Sequence, residues 1–198
     1  MDLTARSHGG NLSRIPEFIV LTGPMFGSKT TRMLALIDRY KHMKKSVIAF
    51  KPLTDDRYSV SKIVTHSGGS CDAHCISSGK DMILKLANID HHVDIIAVDE
   101  AFMIDGIADA LIDVFKLGKT VIVSSIDLSS NCRPFPEMAK IFPWATTIQK
   151  CPAVCTVCDN DAYYTHKKFE SDQEISVGGA EMYEPRCWFH HEQMNDAT

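Results

Sequence analysis

Residues 18–31 read FIVLTGPMFGSKTT, and this stretch predicts a strand, a tight loop and a helix in direct succession. The four apolar residues at 18–21 suit a buried parallel strand, and Gly23 breaks it. After Lys29, apolar residues recur at the spacing of one helix face. This order of elements is the context that a phosphate-binding loop requires, so we predict one here.

The residue types of the loop fit phosphate chemistry. In such a loop the backbone N–H groups surround phosphate oxygens, a lysine neutralises phosphate charge, and the next hydroxyl binds Mg²⁺. We therefore predict Lys29 as the phosphate ligand and Thr30 as a magnesium ligand. The alternative is an ordinary strand–turn–helix that happens to contain this sequence. The predicted phosphate-binding residues are Gly23, Pro24, Met25, Phe26, Gly27, Ser28, Lys29 and Thr30.

One position departs from the usual phosphate-loop pattern. Glycine normally precedes the lysine, whereas this chain has Gly27 and then Ser28. If the loop follows its usual path, Ser28 needs a positive φ, at a cost of roughly 1 kcal/mol for a residue with a Cβ. We expect a strained loop that still folds, with phosphate binding as the property at risk.

The composition is that of a globular chain with one substantial core. Of 198 residues, 44% are hydrophobic and 23% charged, and the formal net charge is −4. Non-specific nucleic-acid binding normally requires an excess of lysine and arginine, so stable nucleic-acid binding is not expected. The sequence has neither an apolar run of about 20 residues nor the apolar core of a secretory signal. We therefore expect a cytoplasmic protein with no membrane association.

Strands and helices alternate as far as residue 150, which predicts a P-loop NTPase-like parallel sheet flanked by helices. Apolar runs at 47–50, 95–98 and 120–123 suit buried strands. A helix is predicted at 107–117, and Gly118 ends it. The fold class is therefore α/β.

Asp99 and Glu100 directly follow the apolar run at 95–98. Ligands bind beyond the carboxyl ends of parallel strands, so this pair would lie beside the phosphate loop if the two strands are neighbours. Asp99 would then support Mg²⁺, and Glu100 could accept a proton from an attacking hydroxyl or water. Strands that end in two carboxylates are also common without a catalytic role, so this prediction depends on the phosphate loop.

A polar loop at residues 54–58 follows the second predicted strand and lies at the same edge of the sheet. Arg57 in this loop could contact phosphate. The alternative is an exposed Arg–Asp pair on a surface loop, and spacing alone does not separate the two.

The last quarter of the chain holds two metal-binding motifs. Cys155-x-x-Cys158 and Cys187-x-x-His190 have the spacing of a tetrahedral Zn²⁺ site. Four protein ligands leave no open position for chemistry, so we predict a structural zinc. Cys151 and His191 are alternative ligands that spacing does not exclude.

These observations divide the chain into four parts. We predict a flexible leader at residues 1–16 and a P-loop nucleotide-binding α/β domain at 17–150. A zinc-binding lid domain is predicted at 151–191, followed by a flexible tail at 192–198.

The motifs together resemble the type II thymidine kinases, a cytosolic and viral family with a P-loop domain and a small zinc-ribbon-like lasso domain. The resemblance covers roughly residues 17–190. The matching segments are GPMF with Lys29, Asp-x-Arg-Tyr at 55–58, Thr65-His66, Asp99-Glu100, GKTVIV at 118–123, Asp127, Arg133-Pro134-Phe135, both metal motifs, and GGAEMY at 178–183.

The resemblance implies transfer of the γ-phosphoryl group of ATP to the 5′-hydroxyl of thymidine, with Mg²⁺ as cofactor and structural Zn²⁺. It implies that Glu100 is the catalytic base, that Arg57 lies near the transferred phosphate and that Asp99 belongs to the metal shell. It also implies a homotetramer. The nucleoside-binding residues that it implies are Met25, Asp55, Phe135, Val177, Gly178 and Tyr183.

Several residues depart from the family pattern. Ala101 and Phe102 replace the usual glycine and glutamine, Ser130 replaces an aromatic residue, and His190 replaces a fourth cysteine, which zinc accepts. Together with Ser28, these changes define an alternative: a catalytically weakened relative that still binds nucleotide. A P-loop ATPase acting on nucleic acid is a third reading, which the acidic net charge opposes.

Overall fold

A computed structural model describes residues 15–55, 61–65, 68–89, 92–169 and 178–195, with side chains as far as His191. Its main feature is a six-stranded sheet in which every neighbouring pair is parallel, as predicted. In spatial order the strands are β5 (His74–Ile76), β2 (Val47–Pro52), β6 (Ile95–Asp99), β7 (Thr120–Ser124), β1 (Phe18–Thr22) and β8 (Thr147–Lys150).

Helices cover both faces of this sheet. On one face lies α1 (Lys29–His42), which buries Met33, Ile37 and Tyr40 against the strands. The other face carries α2 (Gly79–Ala87), α3 (Ile107–Lys116) and α4 (Pro136–Ile141). Because both faces are covered, the central strands are apolar throughout, which explains the continuous runs in the sequence.

Several short elements were not anticipated from the sequence. β3 (Lys62–Val64) pairs with β4 (Ser70–Asp72), and β5 and α2 follow. Strands of three residues are too short to show a hydrophobic period. The start of α2 did carry a signal, because the Ser78 hydroxyl accepts the Asp81 N–H at 3.2 Å, as N-cap residues do.

The remaining described residues, 151–169 and 178–195, are called the C-terminal module below. Its strands are β9 (Ala153–Val154) with β10 (Asp161–Ala162), and β11 (Tyr164–Lys167) with β12 (Tyr183–Arg186), both antiparallel. The module ends in α5 (Trp188–Asn195). The helix thus continues into the predicted tail at 192–198, because Glu192, Gln193 and Met194 are good helix formers and no proline or glycine interrupts them.

Two sequence predictions concern termini and membranes. Residues 1–14 of the predicted leader lie outside the described residues. Within the described chain, no helix is both long and apolar enough to cross a bilayer.

Candidate active site and metal centre

The phosphate loop connects the end of β1 to the start of α1. Ser28 has φ 56° and ψ 26°, the left-handed conformation expected if the loop keeps its usual path. Helix α1 begins at Lys29, and its first turn contains no acidic residue. The partial positive charge at this helix terminus therefore favours an anion in the loop.

Two glycines of the loop lie against the main chain of Cys151. A Cβ added at Gly23 or at Gly27 would come within 2.4 Å of the Cys151 carbonyl oxygen. The Cys151 N–H also donates to the Thr22 carbonyl at 2.7 Å. The segment that follows β8 therefore fixes one side of the loop, and glycine is required at both positions.

The carboxylate pair lies next to the loop although the two strands are not neighbours, since β7 separates β1 from β6. The start of α1 bridges this gap. Thr30 Oγ1 lies 3.2 Å from Asp99 Oδ2 and 3.4 Å from Asp99 Oδ1. The structure thus brings the two predicted magnesium ligands together.

Burial and charge both act on the ionisable groups of this site. Burial lowers the pKa of Lys29, while the charges of Glu100 and Asp99 oppose that shift. Burial, assisted by the charge of Glu100, raises the pKa of Asp99 to about 7. Lys29 is 8% exposed, and its Nζ donates to the Pro24 carbonyl at 2.5 Å. A lysine and two carboxylates therefore share one poorly solvated site.

Glu100 has an unusual backbone conformation for a glutamate. Its φ is 49° and its ψ is 44°, in the left-handed region. Its N–H donates to Asp99 Oδ1 at 3.1 Å. Left-handed non-glycine residues are uncommon and concentrate at functional sites, where the surrounding structure holds them. This geometry is compatible with the role of base predicted for Glu100.

The residues predicted to bind the nucleoside are described only in part. Asp55 is buried in the turn that follows β2, and its Oδ2 lies 3.6 Å from Nζ of Lys51. Phe135 is buried, with its ring centroid 4.6 Å from that of Phe102. Tyr183 is buried within β12, and Gly178 is described just before it. Arg57 and Val177 lie outside the described residues.

The four predicted zinc ligands converge in the C-terminal module. The ligand atoms of Cys155, Cys158, Cys187 and His190 all lie within 4.8 Å of one another. Cys158 Sγ lies 3.7 Å from Cys187 Sγ, and Cys187 Sγ lies 3.2 Å from His190 Nδ1. Tetrahedral Zn²⁺ with bonds of about 2.3 Å places sulfur ligands about 3.8 Å apart, so the cluster fits such an ion.

The immediate surroundings of Cys155 favour its thiolate form, whereas burial and the neighbouring thiols raise the pKa of Cys187. Burial raises the pKa of Cys155, but the N–H groups of Cys187, Val157 and Cys158 outweigh it and bring the pKa to about 6. The Asn160 side-chain amide also donates to Cys158 Sγ at 3.3 Å. Such contacts to ligand sulfurs are typical of metal sites.

The two alternative ligands lie elsewhere. Cys151 is beside the phosphate loop, and its Sγ contacts the Gln149 carbonyl at 3.5 Å. His191 is 1% exposed, stacks on Trp188, and has its Nε2 3.1 Å from the Ser130 carbonyl. His191 therefore connects α5 to the loop after β7, whereas His190 faces the three cysteines of the predicted zinc site.

Three features of the site were missed by sequence reasoning. Lys51 is 2% exposed at the end of β2; a lysine inside an apolar run was the available signal. Lys150 Nζ lies 2.9 Å from Asp127 Oδ2 beside the loop. The Thr165 hydroxyl accepts the Met25 N–H at 3.1 Å, a contact that no local pattern indicates.

The fold and the site define a class of protein: a parallel α/β protein with a predicted phosphate loop, a carboxylate pair beside that loop and a Cys₃His cluster able to hold a metal such as zinc. The family model for thymidine kinase matches residues 17–191. A thymidine kinase from Pyrobaculum aerophilum is 33% identical over 181 residues, which cover 87% of this chain and 97% of that protein. The chain therefore belongs to the thymidine kinase family, as the motifs predicted.

Proposed function

We propose that the chain is an ATP-dependent thymidine kinase, which transfers the γ-phosphoryl group of ATP to the 5′-hydroxyl of thymidine. The products are ADP and thymidine monophosphate. One observation carries the proposal: Thr30 Oγ1 lies 3.2 Å from Asp99 Oδ2, so the phosphate loop and the carboxylate pair form one site. Membership of the thymidine kinase family supports the choice of nucleoside.

In this proposal each residue of the loop region has a defined task. Lys29 and the backbone N–H groups at the start of α1 bind the phosphates and offset their charge. Thr30 and Asp99 would hold Mg²⁺, which supplies further charge neutralisation at the transferred group when it is bound. Glu100 accepts the proton of the 5′-hydroxyl as that oxygen attacks phosphorus.

The nucleoside would lie between the sheet and the C-terminal module. Met25, Asp55, Phe135, Gly178 and Tyr183 keep the nucleoside-binding role that the resemblance implies, and so do Arg57 and Val177. The boundary at residues 150 and 151, a structural role for zinc, the homotetramer and the cytoplasmic location are likewise parts of this proposal.

The backbone of the loop argues against a catalytically weakened relative. Ser28 takes a left-handed conformation, which glycine adopts most readily, and α1 begins at Lys29. This conformation supports a loop that keeps its usual path despite the inverted order of Gly27 and Ser28. The remaining cost is the local strain of one serine, roughly 1 kcal/mol.

The direct test is transfer of labelled γ-phosphate from ATP to thymidine in the presence of Mg²⁺, with the product identified by chromatography. We expect the natural chain to form thymidine monophosphate. We expect Glu100→Gln to lower kcat by about 10²- to 10⁴-fold, because the glutamine cannot accept a proton.

The matched control is Asp38→Asn, which removes a carboxylate on the exposed face of α1. Its kcat should equal that of the natural chain. Full activity of Glu100→Gln would remove Glu100 from the mechanism, and absence of transfer by the zinc-loaded natural chain would contradict the proposed function itself.

A further inference from the structure

The phosphate loop is in contact with the C-terminal module as well as with the sheet. Cys151 lies against Gly23 and Gly27, the Thr165 hydroxyl accepts the Met25 N–H, and the Phe26 ring packs against the small core of the module. These contacts involve most of the loop from Gly23 to Gly27, and they come from three separate parts of the module. We propose that Thr165 and Phe26 are positioning residues, through which the folded C-terminal module holds the phosphate loop in its nucleotide-binding conformation.

The contact made by Thr165 is partly buried and specific. Thr165 is 5% exposed and lies in the middle of β11, where it pairs with Pro185 of β12. Its hydroxyl satisfies a backbone N–H in the first half of the loop at 3.1 Å. Without this acceptor the partly buried Met25 N–H would need a new partner, because an N–H that is shielded from water and unpaired is costly.

Phe26 contributes the second contact. Its backbone has φ 66°, a left-handed conformation that an aromatic residue rarely adopts and that the surroundings must hold. The side chain packs on a cluster formed by Ala153, Cys155 and Ala162, next to Cys158 and Cys187. The cluster on which Phe26 packs therefore includes one predicted zinc ligand, Cys155, and two others, Cys158 and Cys187, pack against the same cluster.

These contacts connect the metal centre to the phosphate loop by a short physical route. Cys187 directly follows β12, β12 pairs with β11, and β11 carries Thr165. Among the described residues, the apolar cluster of the module is formed by Ala153, Cys155 and Ala162, which are too small to stabilise it alone. A metal that holds the four ligands together therefore also holds the phosphate loop in place. The metal centre would thus raise nucleotide affinity even though it takes no part in the chemistry.

The inference rests on the proposed function in one respect, namely that residues 23–30 bind ATP. Its primary test therefore needs no nucleotide. Hydrogen–deuterium exchange would be measured in peptides covering residues 22–28, for the zinc-loaded natural chain, Thr165→Val, Thr165→Ser and a zinc-depleted sample. We expect exchange to be between about threefold and tenfold faster in Thr165→Val, as the loss of one hydrogen bond predicts.

Serine keeps the hydroxyl, so Thr165→Ser should exchange at nearly the natural rate. Thr156→Val serves as the matched control, because it removes a hydroxyl of the same module that bonds to Glu184 and does not touch the loop. Zinc depletion should accelerate loop exchange at least tenfold. Phe26→Leu, which keeps an apolar side chain, should show an intermediate effect.

Nucleotide affinity provides the second measurement, by calorimetric titration with Mg-ADP and Mg-ATP. We expect the Kd to rise between about threefold and tenfold in Thr165→Val, but to stay within twofold in Thr165→Ser and Thr156→Val. Faster exchange in β11 and β12 with unchanged exchange at 22–28 would overturn the inference. Failure of the zinc-loaded natural chain to bind nucleotide would instead contradict the proposed function, while the exchange data would still decide whether the module holds the loop.

Discussion

Ser28 and Gly27 occupy adjacent positions but are constrained by different forces. Ser28 is constrained by conformation, since its φ of 56° suits glycine better. Gly27 is constrained by space, since a Cβ would lie 2.4 Å from the Cys151 carbonyl oxygen. The sequence predicted the conformational constraint on Ser28, because the positions of the lysine and of the start of the helix indicate the path of the loop. It could not predict the second, because the contacting carbonyl lies far along the chain.

Ser28→Gly should therefore leave stability unchanged or raise the free energy of unfolding by up to about 1 kcal/mol. Relief of left-handed strain favours the variant, and the greater entropy of glycine in the unfolded chain opposes it. No helix cap is lost, because the Ser28 side chain makes no cap hydrogen bond. Chemical denaturation measures the difference.

The companion variant Gly27→Ala should lower the free energy of unfolding by about 1–3 kcal/mol, because the new methyl group forces the loop away from Cys151. The two variants thus test separately the conformational constraint at Ser28 and the steric constraint at Gly27. A stabilising Gly27→Ala, or a clearly destabilising Ser28→Gly, would show that this account of the loop is wrong.

At the scale of elements, helix α5 explains a choice that spacing left open. Consecutive residues of a helix point about 100° apart, so His190 and His191 cannot face the same site. The structure turns His190 to the cysteines and His191 to Trp188 and the Ser130 carbonyl. The motif spacing predicted the cluster but not the start of α5, on which this orientation depends.

We therefore expect His190→Ala to purify with much less zinc than the natural chain, while His190→Cys retains about one ion per chain. His191→Ala should retain the metal yet lose about 2 kcal/mol of stability, since it removes a buried ring and a buried hydrogen bond. Metal analysis and thermal unfolding of the three variants would be compared. Loss of zinc from His191→Ala with retention in His190→Ala would reverse the assignment.

The end of strand β2 supports a further prediction at this scale. The side chains of Lys51 and Asp55 are 3% and 11% exposed, with Nζ and Oδ2 3.6 Å apart. Removing one charge of a buried pair takes away an ion-pair partner of the other, so Lys51→Met should lose about 1–3 kcal/mol. The double variant with Asp55→Asn should recover part of that loss.

A double-mutant cycle from urea denaturation measures the coupling, which we expect to exceed about 1 kcal/mol. Additive effects of the two substitutions would show that the pair does not interact. If Asp55 also binds the nucleoside, as proposed, Asp55→Asn should raise the KM for thymidine while leaving the KM for ATP nearly unchanged.

At the scale of the whole molecule, the α/β alternation predicted the class of sheet but not its strand order. Alternation and handedness leave several orders open, and the insertion of β7 between β1 and β6 results from packing of distant segments. The same limit applies to contacts between the sheet and the C-terminal module. The metal motifs predicted that the module exists. Its contacts with the phosphate loop join residues far apart in the sequence, so they could be seen only in the structure.

The two parts of the molecule should respond differently to removal of metal. The sheet has large apolar clusters on both faces, whereas the apolar cluster described in the C-terminal module is formed by three small residues, Ala153, Cys155 and Ala162. A structural metal contributes its binding free energy to folding, so the module depends on it far more than the sheet does. A chelator should therefore unfold the module and leave the sheet folded.

The two tryptophans of the chain allow each part to be followed separately, because Trp144 lies next to α4 and Trp188 begins α5. A Trp144→Phe chain reports on Trp188, whose ring centroid is 5.0 Å from that of Tyr164; a Trp188→Phe chain reports on Trp144, which lies under Lys116. After chelation, emission should shift to longer wavelength only in the Trp144→Phe chain, and added Zn²⁺ should reverse the shift. Simultaneous shifts in both chains would mean that the metal supports the whole fold, because the sheet would then be unable to remain folded without the module.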